Sequence, residues 1–120
     1  MNKRELGSKY EEMAVSYLLG LNYRILNRNY HAGKRGEIDI ICLDPYDTLV
    51  FVEVKYRTGS AFGSGLEAIN PAKQKTICRV ALAYLKEKKL SMNLAMRFDA
   101  ISFDGDSVPT HIMNAFPFVL

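Results

Sequence analysis

Apolar and polar side chains alternate most regularly over residues 36–57, where G-E-I-D-I-I-C-L precedes the turn D-P-Y-D and then T-L-V-F-V-E-V-K-Y-R. Both halves are short, rich in β-branched residues and bounded by turn formers, which predicts two antiparallel strands joined near Asp44 and Pro45. A period of two sends Val50, Val52 and Val54 to one face and Glu53, Lys55 and Arg57 to the other. In the first strand Ile38, Ile40 and Cys42 take one face and Glu37 and Asp39 the other, before Ile41 and Leu43 make that second face apolar again. If the apolar faces are to coincide, odd positions pair with odd, and the register that sets Leu43 opposite Leu49 puts Asp39 opposite Glu53.

The pattern changes on either side. Tyr10, Met13, Ala14, Tyr17, Leu18 and Leu21 recur at helical spacing and predict an amphipathic helix over residues 8–19, stopped near Gly20. Its phase leaves Glu11 on the edge of the buried stripe and turns Glu12 away. A boundary carboxylate half in solvent is the commoner fate of such a residue, so helix geometry nominates Glu11 without assigning it. Residues 22–30 read as a mixed strand, followed by a glycine-bounded hairpin loop carrying Lys34 and Arg35. Asn70 and Pro71 read as an N-cap and first helical position, opening a helix over 70–89 with the stripe Ile77, Val80, Ala81, Tyr84 and Leu85. Residues 95–103 and 108–115 predict two further strands around a turn at Asp104 and Gly105.

With 120 residues, the chain is long enough for one domain with a real core and short for two, so a single domain over 1–120 is expected. No apolar run is long enough to span a bilayer, and the first residues lack a signal-peptide pattern, which points to the cytoplasm and away from membranes. Cys42 falls in a strand and Cys78 in a helix, without zinc spacing; both read as small buried hydrophobes with no disulfide. The net charge of +3 is nearly neutral. The basic residues nevertheless gather at Lys3–Arg4, Lys34–Arg35, Lys73–Lys75–Arg79 and Lys86–Lys88–Lys89, and a solvated helix face accounts for the last of these equally well.

The chemistry starts from the opposed acids. Directly facing Cβ atoms lie roughly 5 Å apart, and two carboxylates there repel unless positive charge sits with them. A divalent cation and Lys55 are the candidates, and oxygen donors without nearby His or Cys favour Mg²⁺ or Mn²⁺ over zinc. An ordinary ion pair on a solvated strand face is the competing reading. Lys34 and Arg35 are candidate phosphate contacts at the mouth of the site, as are Lys73 and Gln74 in the first turns of the second helix; solubility alone would explain either set. The glycine-rich stretch 58–65 is expected to be a mobile loop. Its one apolar side chain, Phe62, is placed to pack or stack against a nucleic acid, though simple linkage is the commoner role of such a loop.

An acid on one strand followed by Glu-x-Lys on the next, here Asp39 and then Glu53-Val54-Lys55, resembles the PD-(D/E)xK arrangement of restriction-endonuclease-like nucleases. The predicted order is that fold's αβββαβ core, an α/β class with a mixed central sheet flanked by helices. The chain as a whole resembles the YraN-like family of small bacterial proteins, similar in turn to archaeal Holliday-junction resolvases. The resemblance is carried by Gly7 with Glu11, Ala14 and Tyr17-Leu18; Gly36-Glu37-Ile38-Asp39; Val50 to Lys55 with Arg57; Phe62-Gly63; Lys73; Arg97-Phe98-Asp99; and His111-Ile112 with Asn114-Ala115-Phe116. Tyr10 departs from it, since the family often has Gly before the helix glutamate. The resemblance implies a metal-dependent nuclease site: Asp39 and Glu53 as ligands of Mg²⁺ or Mn²⁺, Glu11 as a further ligand directly or through water, and Lys55 positioning water or steadying the phosphorane. Lys34, Arg35, Arg57, Phe62, Lys73 and Gln74 would meet nucleic acid. It also implies DNA as partner, branched or otherwise structured, a setting in recombination or repair, and compatibility with a homodimer. His111 is read as structural. The alternative is a catalytically silent nuclease-like domain that binds nucleic acid or a protein partner.

Overall fold

Seven elements follow one another: α1 (Lys3–Gly20), β1 (Arg24–His31), β2 (Glu37–Leu43), β3 (Leu49–Arg57), α2 (Pro71–Glu87), β4 (Met96–Asp104) and β5 (Thr110–Phe116). The computed structural model describes residues 1–57, 69–105 and 108–118. The strands form one sheet in the order β1-β2-β3-β4-β5. Neighbours are antiparallel except β3 and β4, which run parallel and are linked through α2. The chain is thus mixed α/β, consistent with an αβββαβ core to which β5 adds an edge strand.

α1 starts five residues earlier than the apolar stripe predicts. Asn2 caps it, its side-chain oxygen accepting the Glu5 N–H at 2.8 Å, and this polar signal lies ahead of the first buried position. α2 begins as expected, with the Asn70 side chain accepting the Lys73 N–H at 2.8 Å and Pro71 in the first turn.

Each helix covers one face of the sheet. Tyr10, Ala14, Val15 and Leu18 of α1 pack with Ile40, Cys42, Val50, Val52 and Phe103. On the other face Ile77, Val80, Ala81, Tyr84 and Leu85 of α2 pack with Ile38, Ile41, Phe51 and Phe98. β3 therefore reads as a nearly unbroken apolar run because both its faces are buried. Tyr10 is part of this packing: it is 2% exposed and its ring stacks on Tyr56 at a centroid distance of 4.8 Å.

The register that sets Leu43 opposite Leu49 is observed, and it continues through Cys42–Val50 and Ile41–Phe51 to Ile40–Val52. The paired ladder ends there, one position short of Asp39 and Glu53. Alternation fails at the same place. Ile38 packs with the α2 layer, whereas Ile40 and Cys42 pack with the α1 layer, correcting the expectation that all three share a face. The neighbouring strand behaves alike: Tyr30, paired with Ile38, packs against the α2 layer, and Asn29 between Tyr30 and Arg28 has a positive φ of 50°.

Candidate active site

The parting of β2 from β3 exposes one backbone donor that the ladder no longer uses, and a side chain takes it. Asp39 accepts the Val54 N–H through Oδ2 at 2.8 Å. Asp39 and Glu53 are 7% and 8% exposed, and the charge of Glu53 acts on Asp39. Protonation of one carboxyl relieves the repulsion that a cation would otherwise relieve.

The pair faces a cavity of about 500 Å³ whose wall includes Glu11 of α1, Glu37 of β2, and Lys73 and Thr76 of α2. Lys73 reaches back from the start of its helix to place Nζ 3.1 Å from Glu53 Oε1. The positive end of the α2 dipole lies on the same side. Glu11 enters half-buried, while Glu12 stays exposed in an ion pair with Arg28 at 2.7 Å.

Four carboxylates around one ammonium leave the cavity strongly negative, and the protonation equilibria register it. Burial, then the charge of Glu53, pushes the Asp39 carboxyl up to about 7 against the opposing Val54 hydrogen bond. Burial also raises Glu53 although Lys73 pulls the other way, and burial followed by Asp39 and Glu37 raises Glu11. Glu53 in turn holds the Lys73 ammonium above its usual range. Among the described residues no three His, Cys, Asp or Glu side chains stand close enough to form a complete metal cage. Glu11 lines the cavity without completing such a trio. Two buried carboxylates facing an open cavity are nonetheless the donor set Mg²⁺ accepts, since it keeps several waters and takes phosphate oxygens for the rest.

Other residues nominated from sequence lie elsewhere. Lys55 is half-buried but outside the cavity wall, because β3 carries it two residues past Glu53, roughly 6.6 Å further along the strand. Gln74 points back instead of in, its side-chain N–H donating to the Ile69 carbonyl at 2.7 Å. Lys34 is exposed in the β1–β2 loop, Arg35 turns toward α2, and Arg57 ends β3 with its carbonyl accepting the Gly105 N–H at 2.9 Å. Phe62 and the stretch 58–65 lie outside the described residues. Glu37 is a wall residue that no role was assigned; its place two residues before Asp39 was the signal.

Gly36, also on the wall, has φ +140°, and a Cβ there would meet Thr76 Cγ2 at 2.6 Å. Gly36→Ala is expected to cost about 1–3 kcal/mol through strain and clash with α2. A urea titration checks it, with a lower midpoint at unchanged slope expected; an unmoved midpoint would mean that α2 yields freely.

The model of the uncharacterised protein family UPF0102 matches residues 10–103. The chain belongs to UPF0102. A UPF0102 protein of Fusobacterium nucleatum is 42% identical over 108 residues, covering 90% of this chain and 88% of its own. One of Geotalea daltonii is 44% identical over 119 residues, covering 96% and 91%, and one of Caldicellulosiruptor saccharolyticus is 46% identical over 101 residues, covering 84% and 83%.

In this UPF0102 chain the residues Arg97, Asp99, His111 and Asn114 form a second polar cluster. Asp99 is fully buried where the β4–β5 register slips between Phe98 and Ala100. Its Oδ1 accepts Arg97 Nε–H at 3.0 Å and the Asn114 N–H at 2.9 Å, and its Oδ2 lies 2.8 Å from His111 Nε2. Arg97 also reaches Asp44 at 2.7 Å and the Tyr23 hydroxyl at 2.9 Å, while His111 Nδ1 meets Tyr17 at 3.2 Å. These contacts tie the edge strand β5 to α1 through His111 and Tyr17, and the β2–β3 turn to β4 and Tyr23 through Arg97. The structural reading of His111 agrees with them.

Proposed function

We propose that the cavity is the active centre of a metal-dependent nuclease that hydrolyses phosphodiester bonds in branched or otherwise structured DNA. The observation that supports this most is the buried Asp39–Glu53 pair, costly to keep in a fold and directed at open space beside a lysine. Asp39 and Glu53 would hold Mg²⁺ or Mn²⁺, with Glu11 acting through a water. The bound ion would supply a more acidic water and charge stabilisation at the scissile phosphate.

The protein's own groups do the rest. The Val54 N–H anchors Asp39 Oδ2 and so fixes the carboxylate plane. Lys73 and the amino end of α2 offer positive charge to a phosphate entering the cavity. Lys55 would approach the same phosphate from outside the cavity wall, two residues further along β3. As positive charges beside the phosphate, each would stabilise the charge that accumulates on the phosphorane more than the ground state.

A cleavage panel of junctions, flaps, single strands and duplexes, with Mg²⁺, Mn²⁺ or neither, tests the reading. Lys73→Ala and Lys55→Ala should each lower cleavage by a factor on the order of 10², with DNA affinity little changed. Lys73→Ala with full activity would make Lys73 only a counterion to the acids. Wild type that cuts nothing in the panel would leave the catalytically silent binding domain in its place.

A further inference from the structure

The acid cavity does not end at Thr76. That residue is shared with a second cavity of about 460 Å³ bounded by Arg35 and Arg79, and those two arginines are shared with a third of about 550 Å³ whose floor is Leu82 and Ala83 and whose rim includes Lys86. Thr76, Arg79, Ala83 and Lys86 recur at intervals of three and four, so they lie along one side of α2. Arg35 faces them from the β1–β2 loop. The groove is continuous and basic, and it opens directly from the proposed active centre.

From Thr76 to Lys86 the helix rises about 15 Å, which matches the axial rise of four to five nucleotides in one strand of B-DNA. Its single acid, Glu87, stands at the outer end, accepting the Tyr30 hydroxyl's hydrogen bond and lying 3.8 Å from Lys88 Nζ. We infer that this groove is the track for the nucleic-acid arm leaving the scissile phosphate, with Arg35, Arg79 and Lys86 each meeting a backbone phosphate. The inference rests on the nuclease reading for its direction, because the track begins where the phosphodiester would be cut. Backbone contact of this kind carries no sequence preference, so substrates should be selected by shape.

The test is equilibrium binding of a fluorescent four-way DNA junction without divalent ions, over a range of salt. Wild type is compared with Arg35→Ala/Arg79→Ala/Lys86→Ala and with the single Arg79→Glu. Loss of three phosphate contacts should flatten the plot of log K against log salt by about 2.7 and make binding at low salt at least tenfold weaker. Arg79→Glu should weaken binding in the same sense. All three basic side chains are exposed, and a melting curve verifies that the variants fold. A wild-type slope in the triple variant would overturn the track even if the protein cuts DNA. The expected slope change in a protein that cuts nothing would keep the track and remove the nuclease. Tighter binding of polyglutamate than of DNA, abolished by Arg79→Glu, would assign the groove to an acidic peptide and overturn the inference.

Discussion

Replacing Asp99 with alanine is expected to destabilise the protein by about 3–5 kcal/mol, the range typical when one partner of a buried charge network is removed. Asp99 is 0% exposed, and its two oxygens serve Arg97, His111 and the Asn114 N–H. Alanine would leave a guanidinium that is already half-buried with Asp44 as its only carboxylate. It would also strand the Asn114 N–H at the point where the β4–β5 ladder slips. Arg97, a group burial would otherwise discourage, keeps its charge through hydrogen bonds to Asp44 and Asp99. Asp99→Asn should cost less, because the amide retains an acceptor for one donor. Chemical denaturation of both variants decides it. Asp99→Ala within about 1 kcal/mol of wild type would mean the buried network adds little to stability. A loss of about 3–5 kcal/mol in Asp99→Ala beside a smaller one in Asp99→Asn would fit its role as a clamp on β5.

Asp39→Asn is expected to abolish cleavage, by a factor on the order of 10³, and yet to make the ion-free protein more stable at pH 8. The folded carboxyl titrates near 7, with burial and then Glu53 as the causes, against about 3.9 in an unfolded chain. Between those values the folded protein holds a proton that the unfolded chain has released, so stability falls as pH rises. In the absence of divalent ions, wild type should therefore gain on the order of 2–4 kcal/mol between pH 8 and pH 4.5. Below that window the carboxylates that folding acidifies, such as Asp44 with its Arg97 bond, work in the opposite sense. Asparagine keeps an oxygen for the Val54 N–H and removes the charge, so the variant's melting temperature should be nearly flat over the same range. A wild-type curve that rises from pH 4.5 to 8 would show that the pair is not buried in repulsion.

How much of this was legible in the sequence follows from which forces are local. The β2–β3 register was readable because two apolar faces leave one parity open, and the helix phase separated Glu11 from Glu12. The strand irregularity at Asp39 was not readable: alternation predicts one face for Ile38, Ile40 and Cys42, while the twist at Asn29 and the opening ladder move Ile38 to the other. Lys73 was visible as a basic residue in a helical first turn. Its contact with Glu53 depends on how α2 folds back over β3, which no periodicity encodes. Tyr10, a departure from the resemblance, is explained by its stack with Tyr56 in the α1 layer. Asp99 entered only through the resemblance, and its network could not be read from it: His111 and the Asn114 N–H come from β5, and Arg97 draws in Asp44 and Tyr23 from other parts of the chain.

If Asp39 and Glu53 are kept together to hold a divalent cation, the ion should bind at that pair. Calorimetric titration of Mn²⁺ at pH 8 into wild type and Asp39→Asn tests it most directly. Saturable binding by wild type, with at least a tenfold loss of affinity in the variant, is the predicted result. Equal Mn²⁺ affinity in the two proteins, or none in wild type, would contradict it.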